Sequence, residues 1–308
     1  MDSDNVSTDI LSPVYELAPS LSSAASYNRR PYSPEPPPSA DVIIVRGIML
    51  LALDIGNTNI TFGVFNDDAG SAQYAPAATW RIATEPGRMA DEYSLLLSHL
   101  LPAKNVSPDD LTAVALCSVV PPLTPAFVEV FKDDLKLDPL VVGAGTKTGI
   151  KVLYDNPRDV GADRIVDAAA ALQLYGGPVI VVDFGTGTVF DAVSAQGEYI
   201  GGAIAPGIAV AADALFHSAS QLRRVELVRP TAAIGKNTVH ALQSGLVLGY
   251  ADMVKGMIAR FDRELGGGCK VVGTGGLARL IEQEVNVFDE INSDLTLVGL
   301  RIIHELNY

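Results

Sequence analysis

At 308 residues, with 48% hydrophobic and 19% charged residues, the chain is long and apolar enough for two domains with packed cores. Its formal net charge of −14 leaves no basic footprint, which argues against nucleic acid or an anionic membrane as a partner. Cys117 and Cys269 form no CxxC pair, so neither a disulfide framework nor a zinc site is expected.

The first 48 residues hold seven of the nineteen prolines and nine serines, ending in Pro34-Glu35-Pro36-Pro37-Pro38. Such a segment has too little apolar surface to offset its ordering entropy and reads as a disordered tail. Val42–Val45 is a candidate edge strand within it, and Met49 is equally a candidate start of translation. No secretory signal is recognised in the tail and no apolar run reaches the roughly 20 residues of a membrane helix, so a reducing cytoplasm is the expected compartment.

From Met49 the pattern is α/β. Met49–Ile55 is a compact apolar run, Gly56-Asn57-Thr58-Asn59 is a turn, and Ile60–Phe65 is apolar again, which predicts a β-hairpin. Tyr93, Leu96, Leu97 and Leu100 have helical spacing within Asp91–Leu101. Ala113–Val119 reads as a buried strand, Pro121-Pro122 as the start of the next helix, and Ile150–Leu153 as a short strand. Asp163–Tyr175 is an alanine-rich helix stopped by Gly176-Gly177-Pro178. Pro178–Phe184 then repeats the opening theme: a strand ends in Asp, a Gly/Thr turn follows, and a second strand covers Val189–Ser194. One helix is expected over Thr238–Leu265, then a strand Lys270–Val272, the turn Gly273-Thr274-Gly275-Gly276, and helices beyond it.

The Asp54 and Asp183 segments are one device used twice, 129 residues apart. The repeat predicts two related α/β halves, residues 49–175 and 176–308, with a cleft between them. The run Asp54, Ile55, Gly56, Asn57, Thr58, Asn59, Ile60, Thr61 would aim successive backbone N–H groups into a concavity suited to polyphosphate, with Asp54 able to hold Mg²⁺ directly or through water. An ordinary Asn-rich hairpin turn would show the same residues; the second copy favours the functional reading. The loop Tyr154-Asp155-Asn156-Pro157-Arg158-Asp159-Val160-Gly161-Ala162-Asp163-Arg164 leads into a helix. Asp163 there is an N-cap or a proton acceptor. Arg164, a cation in a first helical turn, wants an anion, which a substrate carboxylate would supply.

Paired DxGxT-type hairpins with a late GTGG turn resemble the superfamily of acetate and sugar kinases, hsp70 and actin, whose RNase H-like α/β domains enclose ATP. The order NPxxVGADR, DFGT, GGAIAPG (Gly201–Gly207), Asn237-Thr238 and Gln243-Ser244-Gly245 is similar to the type III pantothenate kinases from Met49 onward. That resemblance implies ATP-dependent phosphorylation of pantothenate to 4′-phosphopantothenate, the first step of coenzyme A biosynthesis. It implies that Asp54–Thr61 and Thr186 bind ATP with Mg²⁺, and that Asp163 is the proton acceptor. Tyr154, Gly161, Ala162, Asp163, Arg164 and Thr238 would hold pantothenate, and Asp183 a monovalent cation, potassium or ammonium. A homodimer is implied as well. One departure stands out: the family's second hairpin usually reads DFGTATTFD, and here Gly187 and Val189 replace Ala and Thr. A sugar or acetate kinase, or a nucleotide-binding regulatory protein, would share the hairpins; the NPxxVGADR loop speaks against both.

Overall fold

The apolar run that opens the α/β region forms strand β1 (Met49–Ile55), paired antiparallel with β2 (Asn59–Asn66). The structure is a computed structural model and describes residues 49–66, 74–219 and 222–308. The expected tail and the Val42–Val45 candidate strand lie outside the described residues.

β3 (Ala78–Ala83) pairs antiparallel with β2, while β4 (Ala113–Ser118) and β5 (Leu140–Val141) extend the other edge in parallel. The resulting order is β3-β2-β1-β4-β5. In the second sheet, β7 (Val179–Phe184), β8 (Gly187–Val193), β9 (Glu198–Pro206), β10 (Lys270–Thr274) and β11 (Glu290–Ile291) repeat that order and those directions as β9-β8-β7-β10-β11. The repeat expected from two Asp-ending strands is thus a repeat of whole sheets. β6 (Lys151–Val152) precedes the second sheet in sequence yet joins its edge, beside β9.

Alternation along the central strands shows what covers each face. Leu51, Leu53 and Ile55 of β1 pack with α1 (Ala90–Ala103) and α2 (Leu123–Asp133), through Phe62, Trp80, Tyr93 and Phe127. Leu50 and Ala52 point the other way, to Val166 and Ala169 of α3 (Ala162–Tyr175) and to Leu297, Leu300 and Ile303 of α8 (Leu295–Asn307). In β7, Val179 and Val181 meet α3 and α8, and Ile180, Val182 and Phe184 meet α6 (Gly249–Glu264) and α7 (Ala278–Val285). Strands covered on both faces read as continuous apolar runs, which is why β1 and β7 were legible. α3 and α8 therefore lie between the two sheets, within one unit, Arg46–Tyr308.

β3, β5 and β11 were not expected from sequence, and larger differences fall in the second half. The single helix over Thr238–Leu265 is α5 (Thr238–Gln243), a π segment (Ser244–Leu248) and α6. Polar side chains tie the junction to other chain segments: Gln243 Nε2 donates to the Glu226 carbonyl at 3.0 Å and Ser244 Oγ to the Ala233 carbonyl at 2.6 Å. π turns occur mostly as such local interruptions. The GGAIAPG run lies mostly in β9, whose glycines and proline hide its strand character, and it leads into an unforeseen helix, α4 (Ile208–Ser218).

Candidate active site

The two Asp-bearing hairpins meet. Thr58 Oγ1 and Thr186 Oγ1, 128 residues apart in the chain, are 2.8 Å from each other. Their turns are not identical in length. Ile55 pairs with Ile60 in the first and Phe184 with Thr188 in the second, so the second loop is one residue shorter. The first turn is closed by the Gly56 N–H on the Asn59 carbonyl at 3.1 Å and braced by Thr84 Oγ1 on the Gly56 carbonyl at 2.6 Å. Asn57, Thr58 and Asn59 at its tip are exposed. The second turn is closed by Gly185 N–H on the Gly187 carbonyl, and Gly207 N–H donates to the Thr186 carbonyl, each at 3.0 Å.

Strand register explains the Val189 departure. Asp54 stands opposite Thr61, and Asp183 stands opposite Val189. The second carboxylate therefore lacks the flanking hydroxyl that the first one has. Gly187 is less consequential, since a Cβ there would make only ordinary contacts of 3.5 Å or more. The glycine turn after β10 closes over the same carboxylate: a Cβ on Gly275 would fall 2.4 Å from Asp183 Oδ1.

Asp163 sits one residue inside α3, whose N-cap position is Gly161, so its side chain is not the helix cap. Its Oδ1 accepts the Arg164 backbone N–H at 2.8 Å. Arg164 is paired with Asp191: Nε and Nη2 donate to Asp191 Oδ1 at 3.0 and 2.6 Å. Tyr199 Oη donates to the same oxygen at 2.7 Å. Tyr154 lies beside this group, its ring 6.3 Å from that of Tyr199. Thr238 is exposed at the start of α5, capped by Asn237, and shares no hydrogen bond with the others among the described residues.

These carboxylates disturb one another. Burial, then the charge of Asp163, pushes Asp54 up to about 7, against a weak hydrogen bond from Cys117 Sγ at 3.6 Å. Asp183 is also pushed up to about 7, by burial and then by Asp54, Asp163 and Asp191. Asp163 is raised by burial, partly offset by the Arg164 backbone N–H and guanidinium. Asp167, one turn along α3 from Asp163, is buried and raised well above the usual range, by burial and then by Asp183; its Oδ1 has no hydrogen-bond partner.

A site that gathers carboxylates at the expense of their ionisation suits a ligand that arrives with cations. No group of three or more His, Cys, Asp or Glu forms a metal cage among the described residues. Mg²⁺ commonly uses one or two carboxylates together with substrate phosphates, and Asp54 beside the first hairpin turn fits that pattern.

The raised values carry a stability consequence. Folded Asp54 and Asp183 hold their protons to about 7, against 3.8 for the ordinary side chain, so their contribution is complete below about 4 and lost as pH rises through 7. Without nucleotide or divalent cation, Tm should fall between pH 6 and 8. One unit of net shift is about 1.4 kcal/mol, or about 2–4 °C for a chain of this size. A scanning-calorimetry series with a flat or rising Tm across that window would contradict it.

Asp167, Asp191 and Tyr199 were not singled out from sequence. Asp167 carried a signal, the i, i+4 spacing from Asp163 on one helix face. Asp191 closes the DFGTGTVFD run, but only strand pairing shows that it turns to Arg164.

The sequence profile described as "Type III pantothenate kinase" matches residues 50–260. A type III pantothenate kinase of Moorella thermoacetica is 51% identical over 259 residues, covering 84% of this chain and all of that one. That of Roseiflexus sp. is 50% identical over 259 residues, covering 84% and 99%. Among solved structures, a Sinorhizobium meliloti protein provisionally assigned as a 2-dehydro-3-deoxygalactonokinase superposes with a TM-score of 0.53 at 16% identity, covering 84% and 97%, a likeness of fold alone. Two sheets of one topology, a pair of Asp-bearing hairpins in contact and the match over residues 50–260 agree: the chain belongs to the type III pantothenate kinase family.

Proposed function

We propose that this chain transfers the γ-phosphoryl group of ATP to the primary hydroxyl of pantothenate, giving 4′-phosphopantothenate, the first step of coenzyme A biosynthesis. The observation that carries the reading at the site is the 2.8 Å contact between Thr58 and Thr186, which brings both phosphate-type hairpins to one place. Phosphoryl transfer asks mainly for positioning and charge stabilisation.

The exposed turn Asn57–Asn59 and the hydroxyls of Thr58 and Thr186 bind the triphosphate from two sides. Ile55, Gly56, Ile60 and Thr61 hold that turn in register, and Asp54 faces the cation that accompanies the nucleotide. Mg²⁺ supplies neutralisation of the phosphate charge when bound. Asp183 holds a monovalent cation, potassium or ammonium. Tyr154, Gly161, Ala162, Arg164 and Thr238 hold pantothenate, with the guanidinium of Arg164 toward the acid. Asp163 accepts the proton of the attacking hydroxyl as its oxygen bonds to phosphorus and the bond to ADP breaks. Burial raises its proton affinity, as a general base requires.

A homodimer is supported by apolar side chains exposed around β9, α4 and α5: Ile204 at 68%, Ile234 at 83%, with Val210, Leu215 and Val239. The enzyme works in the cytoplasm, a reading supported by two free cysteines and by the lack, among the described residues, of a helix long and apolar enough to cross a membrane. A coupled ADP-release assay with and without pantothenate tests the activity, and repeating it with potassium, ammonium or neither tests the cation. Pantothenate-dependent ADP is expected, greatest with the monovalent cation; ADP release that ignores pantothenate would overturn the assignment.

A further inference from the structure

The carboxylate of Asp191 and the hydroxyl of Tyr199 lie behind Arg164, and no role in the reaction has yet been given to either. One oxygen, Asp191 Oδ1, accepts three hydrogen bonds: from Arg164 Nε at 3.0 Å, Arg164 Nη2 at 2.6 Å and Tyr199 Oη at 2.7 Å. The three side chains come from three elements, α3, β8 and β9. The Arg164 side chain is 11% exposed and that of Asp191 3% exposed, so the ion pair is screened from water. Tyr199 is fully buried, and its ring lies 5.9 Å from the guanidinium carbon.

The backbone is shaped around this pair. Gly202 is the cross-strand partner of Asp191, and a Cβ on it would fall 2.7 Å from Arg164 Nη2 and 2.9 Å from Asp191 Oδ1. A Cβ there would also run into the Phe190 carbonyl. Only glycine leaves room for the guanidinium to lie flat against the strand. With Nε and one N–H of Nη2 directed at Asp191, the other Nη2 N–H and the two of Nη1 are left to meet a ligand.

We propose that Asp191 and Tyr199 are positioning residues for the acid substrate: they hold the Nε edge of Arg164 so that it offers pantothenate the Nη1–Nη2 end of its guanidinium. The proposal rests on the reading that Arg164 holds the substrate. Tyr199 acts through Asp191, and Asp191 acts through Arg164; neither touches the reacting atoms. A guanidinium set in advance loses less rotamer freedom on binding than a free one, so the benefit falls on substrate affinity. The hairpin turns with Thr58 and Thr186 make no hydrogen bond to this group among the described residues.

Steady-state kinetics on Tyr199→Phe, Asp191→Asn and Arg164→Ala, with KM for pantothenate and for ATP measured separately, test it. Tyr199→Phe should raise the KM for pantothenate about 5–10-fold, the scale of one ordinary lost hydrogen bond, since its effect is passed on through Asp191. Asp191→Asn should raise it further, and the KM for ATP should stay within about twofold in both. If Asp191→Asn does not fold, judged by its urea transition, Tyr199→Phe decides alone. A Tyr199→Phe enzyme whose pantothenate KM is unchanged while Arg164→Ala raises it overturns the positioning role and leaves Arg164 in place. An Arg164→Ala enzyme with unchanged pantothenate KM removes the premise and the proposal with it. Equal rises in the KM for ATP and for pantothenate overturn it too, because they mark a general structural defect.

Discussion

Asp163→Asn should lower kcat by about 10²–10⁴-fold, the usual range for a positioned general base, while ATP affinity changes by less than about threefold. The substitution keeps the shape of the side chain and an oxygen that can still accept the Arg164 backbone N–H. What it removes is the capacity to take a proton. It also removes one of the charges that raise Asp54 and Asp183, so nucleotide and cation binding should be no worse. Single-turnover kinetics, paired with direct titration of a fluorescent ATP analogue, separate the two effects. Near-normal turnover would mean that Asp163 is not the proton acceptor; equal losses in turnover and ATP affinity would mean that it organises the site.

Gly275→Ala should damage both the fold and the nucleotide half of the site. Gly275 has φ +85°, where a side chain costs about 1 kcal/mol or more. The new Cβ would also fall 2.4 Å from Asp183 Oδ1 and 2.7 Å from the backbone N and C of Phe184. The carboxylate can rotate away, but the β7 backbone cannot move without disturbing its ladders to β8 and β10. Together these predict a loss of about 2–4 kcal/mol in urea unfolding and a KM for ATP raised at least about tenfold. Stability within about 0.5 kcal/mol of the parent, with unchanged KM, would show that the turn relaxes freely.

Much of this site is written in short-range patterns, and those were readable. β1 and β7 are runs of side chains buried on both faces, each ending at an Asp, and α3 announces itself by its alanines and by the Gly-Gly-Pro that stops it. The Asp54 and Asp183 hairpins were recognisable as a pair because a tight turn after a buried strand leaves few residue choices. What depends on which strands are neighbours was not readable. β9 contains Gly201, Gly202 and Pro206, residues that weaken strand propensity, and Gly202 stands where the Phe190 carbonyl and Arg164 leave no room for a side chain. The pairing of Arg164 with Asp191 follows from the packing of α3 on β8, which no local pattern announces. The one-residue difference between the hairpin loops is likewise a matter of register. Side by side, the two motifs look equal in length, and only the pairing of Phe184 with Thr188 shows otherwise.

The placement of α8 between the sheets bears on the order in which the molecule can be made. Leu297, Leu300 and Ile303 cover Leu50, Ala52 and Phe65, yet they leave the ribosome after everything they cover. At about 5–20 residues per second, one side of the first sheet waits on the order of ten to fifty seconds for its lid. Throughout that interval α3, through Val166 and Ala169, is the part of that cover already made. The helix that lies between the two sheets thus also sets the moment at which the first sheet can be completed.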